Sequence, residues 1–235
     1  MKLSPLLLAL SLFTATSCAS LERGPAEPAP IPGQLQVGML VIDGVYNTEL
    51  TAPMDMFHHT VFHTEPGMRV FLVSEESGPV TSFEGLRILP DYDFESCPPI
   101  DVLVVPSALH NLDTDLENER LIDFVRERGA QAQWVLSLCD GAFVLAQAGL
   151  LDGLAATTFP SDIPAFEERF GERIDVRSDV SFVHDGKAIT SVGGAPSFEA
   201  ALYLCELLYG AKVARGIARG LVIDWDLSKV AHEKR

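Results

Sequence analysis

The residues best placed to do chemistry are Cys139 and the two that follow it. An apolar run, Trp134 to Leu138 (WVLSL), leads straight into Cys139-Asp140-Gly141, and small residues follow as far as Ala148. A buried strand that turns at one residue into a helix has the shape of a nucleophile elbow, which lifts a side chain above the sheet. There the Cys139 sulfur is expected to be exposed and to face the unpaired N–H groups at the helix start. Their partial positive charge favours thiolate over thiol, and they would hold an oxyanion once the sulfur attacked a carbon. The competing explanation is a small buried residue at a strand end, a common place for cysteine. Ser137 also stands where an elbow usually has its first glycine.

Other loops must reach the same edge for that thiol to work. Short apolar runs at Val37–Ile42, Arg69–Ser74, Asp101–Val105, Trp134–Leu138 and Ala188–Ser191 alternate with helical stretches at Thr51–His63, Asn118–Arg128, Gly141–Ala148 and Ser197–Tyr209. Val80–Leu89 reads as a hairpin or edge excursion, and Leu221–Ile223 as a possible last strand. This is the pattern of an α/β fold with one mostly parallel sheet covered by helices on both faces. In such sheets reacting groups gather at the carboxyl ends of the strands. Two further loops leave strands at that edge, Gly44–Pro53 with Glu49 and Pro106–Leu112 with His110. A single loop histidine is more often a surface residue than a base.

Composition narrows the partners. The formal net charge is −16 over 235 residues. Such a surface repels phosphate backbones and anionic headgroups, so nucleic acid is not an expected partner. His58, His59 and His63 share one helical stretch, but no third ligand lies beside the His59–His63 pair, and no metal or cofactor is expected.

The first 18 residues read as a targeting segment. Lys2, the apolar run Leu6–Phe13 and Ala15-Thr16-Ser17 lead to Cys18. The triplet and its cysteine resemble the lipobox of bacterial lipoproteins, which implies lipidation at Cys18, although Ala15 stands where Leu is commoner. An ordinary cleaved signal with an incidental cysteine is the alternative. Ala19 after the cysteine leans towards the outer membrane, so a periplasmic, lipid-anchored protein is expected, touching membrane through the anchor alone. Residues 19–34, with Pro25, Pro28, Pro30 and Pro32, read as a semi-extended tether of about 40–50 Å. The folded domain is expected over residues 35–235. Cys97, Cys139 and Cys205 leave an odd number of thiols, so at least one is not paired within the chain.

The stretches SLCDGAFVLAQAGLLDG (Ser137–Gly153), ATTFPSD (Ala156–Asp162), AITSVGGAPSFEAALYL (Ala188–Leu204) and GVYNTELTAPMDMF (Gly44–Phe57) resemble the ThiJ/PfpI family of the class I glutamine-amidotransferase-like superfamily. The resemblance implies a flavodoxin-like fold, a homodimer, and Cys139 as the reactive cysteine. It places Glu49 as the loop acid that shares a hydrogen bond with that sulfur, a carboxyl expected to stay protonated beside a thiolate. It also places the backbone amides of Ala108 and Asp140 as the oxyanion hole. The sequence departs from the family where histidine is usual: Asp140 follows the cysteine, and Phe159 stands in the Thr-Thr-His-Pro position. Pro106-Ser107-Ala108 replaces a Pro-Gly-Gly loop. A complete Cys-His-acid triad is therefore not expected. His110 and Asp162 remain as accessory groups, and the Asp140 carboxylate raises the cysteine pKa if it points inward.

The expected function is cysteine-dependent chemistry on a small-molecule electrophile, hydratase-like or glyoxalase/deglycase-like, with Cys139 attacking and Glu49 moving a proton. Two alternatives stay open. One is a redox-sensing or stress-protective protein acting through oxidation of Cys139. The other is a non-catalytic relative that binds a small molecule in the same pocket.

Overall fold

The computed structural model describes residues 31–235. The expected signal segment, Cys18 and all but the last residues of the tether lie outside the described residues.

The chain runs β1 (Gln36–Leu40), α1 (Asn47–His58), β2 (Arg69–Ser74), β3 (Val80–Thr81), β4 (Arg87–Ile88), β5 (Tyr92–Asp93), β6 (Val102–Val105), α2 (Glu119–Gln131) and β7 (Trp134–Leu138). It continues through α3 (Gly141–Gln147), β8 (Ala155–Ala156), α4 (Ile163–Phe170), β9 (Asp175–Val176), β10 (Phe182–Asp185), β11 (Ala188–Ser191), α5 (Pro196–Tyr209), α6 (Ala211–Gly220) and β12 (His232–Lys234). Eight strands form one sheet in the order β12-β10-β11-β7-β6-β1-β2-β5, and all neighbours are parallel except β10 and β11. The expected mostly parallel sheet is thus present. Strand order reverses between β1 and β6, so a crevice opens beyond their carboxyl ends, beside the end of β7.

The central strands are apolar on both sides because both sides are covered. Leu40, Leu103, Val105 and Val135 pack towards α2, α3 and α4. Val37, Met39, Val104, Leu136 and Leu138 pack towards α1, α5 and α6. A strand wet on one face would alternate with polar residues, and these do not.

Several elements differ from the sequence reading. Leu221–Ile223 is not a strand, because it unwinds α6; the last strand is β12, which pairs with β10. Helix α6 escaped notice because its ten residues include Gly216 and Gly220, poor helix formers. Helix α1 begins at Asn47 rather than Thr51, with Pro53 inside it. Val80–Leu89 does form a hairpin, built from β3 and β4. At the edge of the sheet opposite to the end of β7, β10 and β11 join through Gly186-Lys187, a two-residue turn in which Gly186 takes φ +59°.

Candidate active site

Strand β7 ends at Leu138, and the next residue adopts a left-handed backbone. Cys139 has φ 55°, a conformation that costs a non-glycine residue roughly 1–2 kcal/mol. Its neighbours hold it there. The Cys139 N–H donates to Ser191 O over 2.9 Å, and Gly193, at φ +81°, lies so close that a Cβ there would collide with the Cβ of Cys139. Gly141 is forced in the same way, since a side chain would strike the carbonyl of Val105. The elbow is therefore wedged between the ends of β6 and β11, and glycine on each side permits the approach.

The sulfur is less open than expected. Cys139 is 7% exposed. Its pKa is pushed well above the ordinary thiol value, first by burial and then by the charge of Asp140, with Glu49 adding to it. The Ser107 hydroxyl and the Asp140 amide favour the thiolate and act in the opposite direction, but do not prevail. The thiolate preference expected from the helix start is reversed. Burial and two nearby carboxylates outweigh a helix only seven residues long.

Asp140 points inward. The thiol of Cys139 donates to Asp140 Oδ2 at 3.7 Å, and Thr158 Oγ1 lies 3.0 Å from Asp140 Oδ1. Burial and the neighbouring Asp162 carboxyl, hydrogen-bonded to it, raise the Asp140 pKa from 3.8 to about 6. Asp162 therefore reaches the site, through Asp140 rather than through the sulfur.

Glu49 lies in the first turn of α1 and is equally buried, at 7% exposed. Its Oε1 accepts from the Gly194 N–H over 2.8 Å, which brings α1 against the same Gly193-Gly194 turn that packs on Cys139. The thiol donates its hydrogen bond to Asp140, while Glu49 acts on the sulfur through its charge. The hydroxyl of Tyr46, just before α1, is held protonated by burial and by the charges of Cys139, Asp140 and Glu49.

The two expected oxyanion donors differ. The Asp140 amide bears on the sulfur. The Ala108 N–H is already engaged, donating to the buried Asn111 Oδ1 over 2.8 Å. Asn111 in turn donates to Asp115, which fixes the Pro106-Ser107-Ala108 turn in place. His110 does not replace the missing imidazole: it is exposed and pairs with Asp113 at 3.3 Å. His59 bonds the Asp55 carbonyl and His63 packs on Gly216, each in a structural role.

Sequence reasoning named Ser107 only as a departure and did not find Thr158 or Tyr46 as members of the site. Ser107 is fully buried beside the sulfur, and its Oγ has no hydrogen-bond partner. Thr158 also lines a cavity of about 440 Å³ with Pro160, Ile163 and Val192.

Comparison with known proteins accords with this geometry. Residues 35–207 match the family model described as DJ-1/PfpI family. The isonitrile hydratase of Pseudomonas putida is 36% identical over 184 residues, covering 77% of this chain and 75% of that protein. A ThiJ/PfpI family protein from Pseudomonas syringae superposes with a TM-score of 0.70 at 29% identity, covering 86% of this chain and 83% of that one. Drosophila melanogaster DJ-1beta shares the fold at a TM-score of 0.71 and 22% identity, covering 82% of this chain and all of that one. With the family model spanning most of its length, this chain belongs to the DJ-1/PfpI family.

Proposed function

We propose that this protein is a cysteine-dependent enzyme that hydrates a small electrophilic carbon, with isonitriles as the leading substrate class. The observation that carries the reading is Cys139, held at φ 55° beside a buried Glu49 that is itself clamped by Gly194. A strained nucleophile position maintained by its surroundings is more useful to chemistry than to packing. The similarity to an isonitrile hydratase supports the substrate class.

The steps balance without a cofactor. The Cys139 sulfur bonds to the terminal carbon of the isonitrile, and the thiol proton ends on that carbon, giving a thioformimidate. Water then adds to the same carbon, Glu49 relays one of the water's protons to the nitrogen, and the C–S bond breaks as the other returns to the sulfur. The products are a formamide and free Cys139. The Asp140 amide faces the position where charge collects, and the cavity beyond Thr158 offers room for the substituent on nitrogen. Without an imidazole, no group stands ready to protonate an amine leaving group, so peptide hydrolysis fits less well.

Reversible oxidation of Cys139 is the other use of such a thiol, but it needs an accessible sulfur with a low pKa. This sulfur is buried and its pKa is raised. A homodimer, expected from the resemblance, is part of the proposal, and light scattering on the purified protein tests it.

The test is steady-state kinetics with a panel of alkyl and aryl isonitriles and α-oxoaldehydes, comparing wild type with Cys139→Ser. Formamide production that disappears in the variant supports the reading. Equal rates in both proteins, or none in either, would overturn it.

A further inference from the structure

A thiol that is buried and held protonated cannot attack until its proton has somewhere to go. One oxygen of Glu49 is held by the Gly194 amide and the thiol's hydrogen bond goes elsewhere, while His110, the imidazole on the neighbouring loop, faces solvent with Asp113. The thiol itself shows the direction, since it donates to Oδ2 of the next residue at 3.7 Å. That residue is only 9% exposed, and its other oxygen is held by Thr158 at 3.0 Å. We infer that Asp140 is the group that takes the proton of Cys139, with Thr158 holding its other oxygen and the Asp162 carboxyl beside it.

This rests on Cys139 being the nucleophile, and it assigns a role that Glu49 alone does not fill. In the step, the S–H bond breaks, its electron pair forms the new S–C bond, and the proton moves to Oδ2 of Asp140. Asp140 then releases that proton to the substrate carbon and returns to its carboxylate form. Ser107 takes part as a donor. Its fully buried hydroxyl has no hydrogen-bond partner and acts on the same sulfur, so it is free to support the negative charge while the proton is away. The groups facing Asp140 and the sulfur are Asp162 from the segment before α4, Thr158 from the loop after β8, and Tyr46 and Glu49 from the start of α1. Three of these four are carboxylic or phenolic acids. The pair Cys139–Asp140 therefore titrates as one coupled unit, with a single negative charge over a broad pH range.

That coupling gives a test independent of any substrate. Iodoacetamide alkylation of the full chain is followed by mass spectrometry on the Cys139 peptide from pH 5 to 9. In wild type the reacting form, thiolate beside protonated Asp140, is one tautomer of the singly charged pair. Its population stops changing once the pair has lost its first proton, so the rate should level off above pH about 6. In Asp140→Asn the rate should climb about tenfold per pH unit across the same range, overtaking wild type near neutrality. Asp162→Asn, which removes the neighbour and leaves Asp140 in place, should move the onset of the plateau to lower pH and reduce its height. A wild-type rate that climbs tenfold per unit in parallel with Asp140→Asn would overturn the inference. So would a plateau left unmoved by Asp162→Asn in a protein that melts like wild type. If no isonitrile is turned over but the plateau behaves as expected, the hydratase reading fails and this inference stands.

Discussion

The backbone N–H of Gly194 donates to Oε1 of Glu49 over 2.8 Å, joining the turn after β11 to the first turn of α1. Three chain segments meet through that bond, because Gly193 packs directly on Cys139. The acid is therefore oriented from the side of the sheet opposite to the helix that carries the thiol.

Glu49→Gln separates orientation from proton transfer. The amide oxygen can still accept from Gly194, so the protein should fold and melt close to wild type. Losing a general acid of this kind typically costs about 100-fold or more in rate. Formamide production should fall by that order in kcat with little change in KM. A variant with normal turnover would remove Glu49 from the chemistry.

Gly193→Ala probes the close approach. A methyl group would meet Cys139 Cβ, and Gly193 sits at φ +81°, which a side chain tolerates poorly. Clash and backbone strain together should destabilise the fold by about 3 kcal/mol or more. Urea unfolding measures this directly. A loss under about 1 kcal/mol would mean that the elbow can relax.

The elbow was legible because it is local: the run Trp134–Leu138 is fully apolar apart from Ser137, and Gly141 must follow for the chain to pass Val105. The sheet was legible for the same reason, through its uninterrupted central strands. What could not be read was tertiary. Burial of the sulfur depends on the loop after β6 and on the Gly193-Gly194 turn, each remote in sequence. The Ala108 amide looks free in sequence, and only the buried Asn111 side chain shows that it is not. Asp140 could be placed beside Cys139 but not aimed. Its direction is set by Thr158 and Asp162, which arrive from beyond α3. Strand β12 (HEK) has no apolar signal, since it is a short edge strand against β10.

Cys139→Gly should show that the elbow stores strain. The residue sits at φ 55°, and glycine occupies that region without the steric penalty. The same substitution removes a small buried side chain, as Cys139→Ala does. Comparing the two isolates the backbone effect, and Cys139→Gly should be more stable than Cys139→Ala by about 1 kcal/mol, against a background of lost activity in both. Thermal melts at one pH suffice. Equal stability would place the strain elsewhere.

The pH dependence of stability should carry the signature of Asp140. Its pKa is raised in the fold to about 6 from 3.8, so the native state binds the proton more tightly than the unfolded chain. Protonation thus favours the fold. The contribution is complete below pH about 4, is lost as pH rises from about 4 to 6, and stays absent above that. A shift of about two pH units corresponds to about 3 kcal/mol, an order-of-magnitude figure. Asp140→Asn carries no such charge, so its stability should not decline in that window on this account. The difference between the two proteins, measured by urea unfolding at several pH values, should grow in favour of the variant between pH 4 and 6 and then hold level. The lost contact with Thr158 lowers the variant by a similar amount at every pH and leaves that slope unchanged. A difference that does not vary with pH would mean that Asp140 is solvated rather than turned onto the sulfur, and the proton route from Cys139 would have no acceptor.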